Sequence, residues 1–118
     1  MPRRYVPKRG DVVWLHFNPQ AGHEQAGRRP AVVLSPESYN EKTSLALFCP
    51  VTNQVKGYPF ETPLAPGLPV GGVVLCDQIK SLDWVVRKAE FVCELPEETI
   101  DEVIGKALAL LKYWTKNK

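Results

Sequence analysis

No apolar stretch in the 118 residues is long enough to cross a bilayer: stretches such as Val73–Cys76 and Ala107–Leu111 span only four and five residues. The basic start Met1-Pro-Arg-Arg-Tyr-Val-Pro-Lys-Arg9 is not followed by the apolar segment of a secretion signal, so a cytoplasmic protein is expected. Cysteine is scarce. Cys49, Cys76 and Cys93 are odd in number and widely spaced, which excludes a disulfide framework and a zinc site and suggests buried free thiols. A one-signed charge excess is also missing, the formal net charge being only +2. There is no Gly/Ser- or Pro-rich divider between two halves, so a single domain over residues 1–118 is expected.

What charge there is lies unevenly. Met1 to Phe60 carry eight Lys/Arg against four acids, whereas from Glu61 onward nine acids face seven bases. A basic front on a near-neutral body suits a groove that tracks phosphates, and suits a solvated surface equally well. With 44% hydrophobic and 24% charged residues the composition is that of an ordinary globular chain. So short a chain leaves sheet edges and apolar patches to cover, and a homodimer is the expected means.

Asp11–Phe17 is β-branched and aromatic and reads as a strand. Further strands are expected at Pro30–Leu34, Thr43–Cys49, Tyr58–Leu64, Val73–Cys76 and Val85–Leu95, with Tyr58–Leu64, punctuated by prolines, at a sheet edge. About six short strands with brief connections predict a small β-barrel. After Pro96 the period changes. Ile100, Val103, Ile104, Ala107, Leu108, Leu111 and Trp114 recur at three- and four-residue spacing, with acids at the start and lysines at the end, predicting an amphipathic helix packed on the barrel.

Between the first two strands, Asn18–Arg29 has no apolar period, and twelve residues is long for an idle connection. Its Gly22-His-Glu-Gln-Ala-Gly-Arg-Arg29 echoes a phosphate-binding P-loop, but Pro30 leads into a strand and provides no helix N-terminus to hold phosphates. The loop does bring a carboxylate, Glu24, and a guanidinium, Arg29, to the mouth of a strand; an ordinary salt bridge would use the same pair. His16, inside a strand, reads as structural, and His23 lies near the loop's charged pair. No cluster of His, Cys and Asp offers a metal site, and no cofactor is implied.

The strings Arg4-Tyr-Val-Pro7, Gly10-Asp11, Glu24-Gln-Ala-Gly27, Arg29-Pro-Ala-Val-Val-Leu-Ser-Pro36, Tyr39-Asn40, Lys42-Thr43, Lys56-Gly-Tyr-Pro-Phe-Glu61, Asp77-Gln78 and Lys80-Ser81 resemble the MazF branch of the MazF/PemK/Kid toxin family, in order and over nearly the whole chain. The resemblance implies a mainly β fold with helices, a small SH3-like twisted β-barrel with a C-terminal amphipathic helix, forming a homodimer. It implies ribosome-independent cleavage of single-stranded RNA at a short sequence, and inhibition by a cognate MazE-like antitoxin whose acidic tail covers the RNA groove. The family's catalytic arginine, threonine and loop glutamate fall on Arg29, Thr52 and Glu24. The chain departs at His23, Arg28, the Pro66–Gly72 loop and the Lys-rich C-terminus, which bear on substrate preference and antitoxin pairing.

RNA carries its own nucleophile, the 2′-hydroxyl, so cutting needs a proton acceptor, a stabiliser of the phosphorane and a donor to the leaving oxygen, and no metal. Arg29 suits the phosphate, Glu24 the 2′-proton, and Thr52 a phosphate oxygen, although a strand-end threonine also serves turns. Phe17, Asn18, Gln25, Gln78 and Tyr58 are candidate base readers. Arg28, Lys56 and Lys80 are candidate phosphate contacts. Alternatives are a gyrase-poisoning toxin of the same fold, like the CcdB proteins, and a non-catalytic RNA-binding barrel.

Overall fold

The apolar run Val12-Val-Trp-Leu15 sends alternate side chains to opposite faces, and both faces are buried: Val12 joins one hydrophobic cluster, Val13 and Leu15 another. The computed structural model, which describes residues 4–17 and 27–113, builds the rest of the fold around this two-sided sheet. Its strands are β1 (Asp11–His16), β2 (Arg28–Val33), β3 (Leu45–Thr52), β4 (Glu61–Pro63), β5 (Val73–Leu75), β6 (Lys80–Asp83) and β7 (Glu90–Glu94). Its helices are α1 (Glu37–Thr43) and α2 (Glu97–Leu108), the latter running into a π-helical turn at Ala109–Tyr113.

All pairings are antiparallel, in the order β4-β5-β3-β2-β1-β7, with β6 also on β3. A mainly β chain with a C-terminal helix is what the sequence predicts, and the strand path is a twisted sheet left open between β4 and β7 rather than a sealed ring. One face packs Val12, Val32, Cys49, Val51 and Val74 against Ile100 and Val103 of α2. The other packs Val13, Leu15, Val33 and Phe48 against Trp84, with Tyr5 and Val6 alongside. Double burial is why β1 and β2 read as near-continuous apolar runs.

Three expected elements differ. Residues expected to open a strand at Thr43 instead finish α1, a seven-residue helix without an apolar stripe. It is held by a polar hub: the buried Asn40 amide accepts from the Ser35 hydroxyl at 2.6 Å and donates to the Pro7 and Ser35 carbonyls at 2.8 and 3.1 Å. Ser44, at φ +62°, ends the helix, and β3 starts at Leu45 and continues through Pro50 to Thr52. The strand expected at Val85–Leu95 begins only at Glu90, because the Asp83 side chain accepts from the Val85 and Val86 amides, both at 2.9 Å, and turns the chain. Tyr58–Leu64 shrinks to β4, at one end of the sheet order, as its prolines require. The helix after Pro96 forms, with Ile100, Val103 and Ala107 buried; Leu108 and Leu111, expected on the same packed stripe, are instead exposed where α2 gives way to the π-helical turn, and Trp114 lies outside the described residues.

Candidate active site

Arg29 sits on the first turn-away of β2, exposed, where the strand emerges from the core. Ala31 pairs with Pro50, and antiparallel pairing lowers one number as it raises the other. Two steps on, Arg29 is level with Thr52, the last residue of β3. Both residues line two adjoining clefts, of about 330 and 410 Å³. In the smaller they are joined by Phe17, Gln78 and Lys80, with the Lys80 ammonium 5.8 Å from the Phe17 ring centre. In the larger they are joined by Trp14, Asn53 and Val70.

Thr52 is positioned by close backbone packing. Gly72, at φ +101°, approaches so near that a Cβ there would lie 2.1 Å from the Thr52 carbonyl oxygen. The Thr52 hydroxyl accepts from the Gln54 amide at 3.1 Å, the turn role foreseen for it, and that bond leaves its proton for another acceptor.

Beyond Thr52, a recess of about 130 Å³ is lined by Lys56, Tyr58 and Gln78 together with Thr52 and Glu61. The buried Glu61 carboxylate shapes its wall, accepting from the Lys56 amide at 2.9 Å and the Gly57 amide at 2.8 Å. The Tyr58 hydroxyl donates to Asp77 at 3.0 Å. Desolvation first, and then this bond, push the Tyr58 phenol above its ordinary value, so it remains a donor at neutral pH.

Six of the residues expected from sequence are therefore brought around one end of the sheet with Thr52: Phe17, Arg29, Lys56, Tyr58, Gln78 and Lys80. Arg28 is not. As β2 alternates, it turns the other way, pairs with Glu90 and lies 5.4 Å from the centre of a Trp14 ring, in a separate cleft with His16. Asn18, His23, Glu24 and Gln25 lie outside the described residues. Sequence reasoning did not single out Glu61 or Gly72. For Glu61 a signal existed, a carboxylate four residues after Gly57 on a turn whose amides need an acceptor.

The charged described residues lining the smaller cleft are Arg29 and Lys80, both cationic. Such a site favours an anion, and Arg29 can present a planar two-pronged donor to phosphate oxygens beside the Thr52 hydroxyl. Among the described residues lining it there is neither carboxylate nor imidazole. Among the described residues, no three or more His, Cys, Asp or Glu gather into a metal-binding group.

Comparison with known proteins agrees over most of the chain. Residues 8–111 match the model of the PemK-like, MazF-like toxins of type II toxin–antitoxin systems. The endoribonuclease toxin MazF of Escherichia coli (strain K12) is 55% identical over 89 residues, which cover 75% of this chain and 79% of that protein. The endoribonuclease PemK of Escherichia coli is 34% identical, over 94% of this chain and 90% of its own. Among solved structures, a crystal structure of MazE–MazF from Deinococcus radiodurans superposes with a TM-score of 0.83 at 50% identity, covering 92% of this chain and 98% of that one.

Proposed function

We propose that this chain, which belongs to the PemK-like, MazF-like toxins of type II toxin–antitoxin systems, cuts single-stranded messenger RNA at a short sequence, without a metal ion, leaving a 2′,3′-cyclic phosphate and a 5′-hydroxyl. As a member it is an endoribonuclease toxin. The observation that carries the finer reading is the shared cleft of Arg29 and Thr52, cationic and with a hydroxyl donor at its side.

In this reading the scissile phosphate sits between them. Arg29 holds the charge that builds on the phosphorane, which is where a fixed cation lowers the barrier most. A guanidinium is a poor base; it hydrogen-bonds the leaving 5′-oxygen, which takes its proton from water as the P–O bond breaks. Thr52 donates to a non-bridging oxygen while still accepting from the Gln54 amide. Glu24 is the proposed acceptor of the 2′-proton, delivered by the loop before β2. Lys80 and Lys56 follow the flanking phosphates, and Phe17, Tyr58, Gln78, Asn18 and Gln25 meet unstacked bases.

The partners proposed are single-stranded RNA, a second copy of the chain and a cognate MazE-like antitoxin; the MazE–MazF structure from Deinococcus radiodurans supports the last. A protein acting on messenger RNA works in the cytoplasm, and no helix among the described residues is long and apolar enough to cross a membrane.

The test is incubation of the protein with unpaired RNA in excess chelator. Discrete fragments ending in cyclic phosphate are expected, and Arg29→Ala should lower the cutting rate at least about 100-fold. Since Arg29 is exposed, the variant's thermal midpoint should barely move. Full activity of that variant removes Arg29 from the reaction; binding without cutting by the parent leaves a non-catalytic RNA-binding barrel.

A further inference from the structure

A cleft of about 840 Å³ lies elsewhere: it shares no lining residue with the clefts around Arg29 and Thr52. Its volume is within the range of sites that hold small ligands or peptide side chains. Four carboxylates line it, Asp11, Glu37, Glu41 and Glu94, against two cations. Lys8 is already paired with Glu94 at 3.0 Å, and the Arg4 guanidinium lies 5.2 Å from the centre of a Trp84 ring. The Glu37 and Glu41 carboxylates, four residues apart on one side of α1, keep no ion pair among the described residues.

The wall is aromatic. Tyr5 and Phe91 meet edge to face, centres 5.8 Å apart, and Phe91 is 51% exposed although it is a large apolar ring on a strand. Beneath them Asp11 is 1% exposed. Its Oδ2 accepts from the Tyr5 hydroxyl at 2.5 Å and from the Lys8 amide at 3.1 Å, while its Oδ1 has no hydrogen-bond partner among the described residues. A buried carboxylate oxygen without a donor is costly, and it marks a place where a donor is wanted.

We propose that this cleft receives an arginine side chain from a basic segment of a partner protein. The chemistry selects arginine: a guanidinium is planar, stacks on an exposed ring such as Phe91, and offers five N–H donors to surrounding carboxylates. A nucleic acid is disfavoured here, because the unpaired charge of Glu37 and Glu41 repels phosphate. The molecule thus presents two faces of opposite preference, a cationic one around Arg29 and an acidic, aromatic one around Asp11 and Phe91. A protein ligand with one acidic and one basic stretch could engage both.

The proposal is tested by titrating the isotope-labelled protein with the end-blocked peptide Gly-Arg-Gly and with its citrulline counterpart, a neutral isostere. Expected are chemical-shift changes centred on Tyr5, Lys8, Phe91 and Glu94, with the citrulline peptide at least tenfold weaker. The double substitution Glu37→Gln with Glu41→Gln, both at exposed positions, should weaken arginine binding at least tenfold, and so should Phe91→Ala. Absence of shifts, equal binding of the citrulline peptide, shifts centred elsewhere or undiminished binding by the double variant would each overturn it. So would self-association through this face that the double variant abolishes, since the occupant would then be a second copy of the chain.

Discussion

Gly72 shows how a residue with no side chain can govern a functional hydroxyl. Its positive φ and its approach to the Thr52 carbonyl admit no Cβ, since the atom in the way is backbone and cannot swing aside. Gly72→Ala is therefore expected to cost more than about 1 kcal/mol in urea denaturation and to reduce RNA cutting by displacing Thr52. An alanine variant as stable as the parent would refute the close approach. Cys49 makes the opposite point, a reactive group rendered inert by its surroundings. Burial, with smaller contributions from Cys76 and Asp77, pushes its thiol up to about 12. At pH 8 roughly one Cys49 in ten thousand would be thiolate, so thiol reagents should label it only as fast as the protein unfolds. Labelling within mixing time in the native state would contradict this, and the half-buried Cys93 serves as the internal comparison.

Among the elements, the segment from Asn53 to Tyr58 is the one whose shape the site needs and whose own sequence does not impose. Its amides at Lys56 and Gly57 are gathered by Glu61, at the start of β4, whose backbone carbonyl in turn accepts from Lys106 of α2 at 2.7 Å. Packing of α2 on the sheet is thus transmitted to the recess beside Thr52. Glu61→Ala should cost about 1 to 3 kcal/mol, the range for losing bonds to a charged acceptor. On RNA it should raise KM more than it lowers kcat, because Arg29 and Thr52 keep their places. A variant with unchanged stability and KM would show that the loop holds itself. The short α1 depends on its surroundings in the same way: the Asn40 carbonyl also accepts the Trp84 indole N–H at 2.9 Å, tying the helix to the turn before β7. Neither device has a periodic signature, because a single polar hub produces no repeat.

Across the whole molecule the modest net charge conceals a division, cations around the Arg29 cleft and carboxylates around the Phe91 cleft. If Arg29, Lys56 and Lys80 each displace a counterion from single-stranded RNA, the logarithm of affinity should fall with the logarithm of salt at a slope of about −2. A slope near zero would remove all three from the phosphate path. Much of this was legible beforehand. The near-continuous apolar, β-branched runs of β1 and β2, the edge position of β4 with its prolines, and the 3.6-residue period of α2 are local properties, and the resemblance to the toxin family rests chiefly on strings outside β1 and α2, Arg29–Pro36 and Lys56–Glu61 among them. Arg29 and Thr52 could be named from that resemblance, Glu24 remains an expectation from it, and Asn18 and Gln25 remain candidate base readers. What the chain's order could not reveal is that residues twenty-three positions apart stand level on neighbouring strands, that Arg28 turns away to Glu90 while Arg29 does not, or that one oxygen of the buried Asp11 is left without a partner among the described residues. Strand register and buried polar pairing are set by contacts between distant segments, which compete over the entire chain and leave no trace in any one window of it.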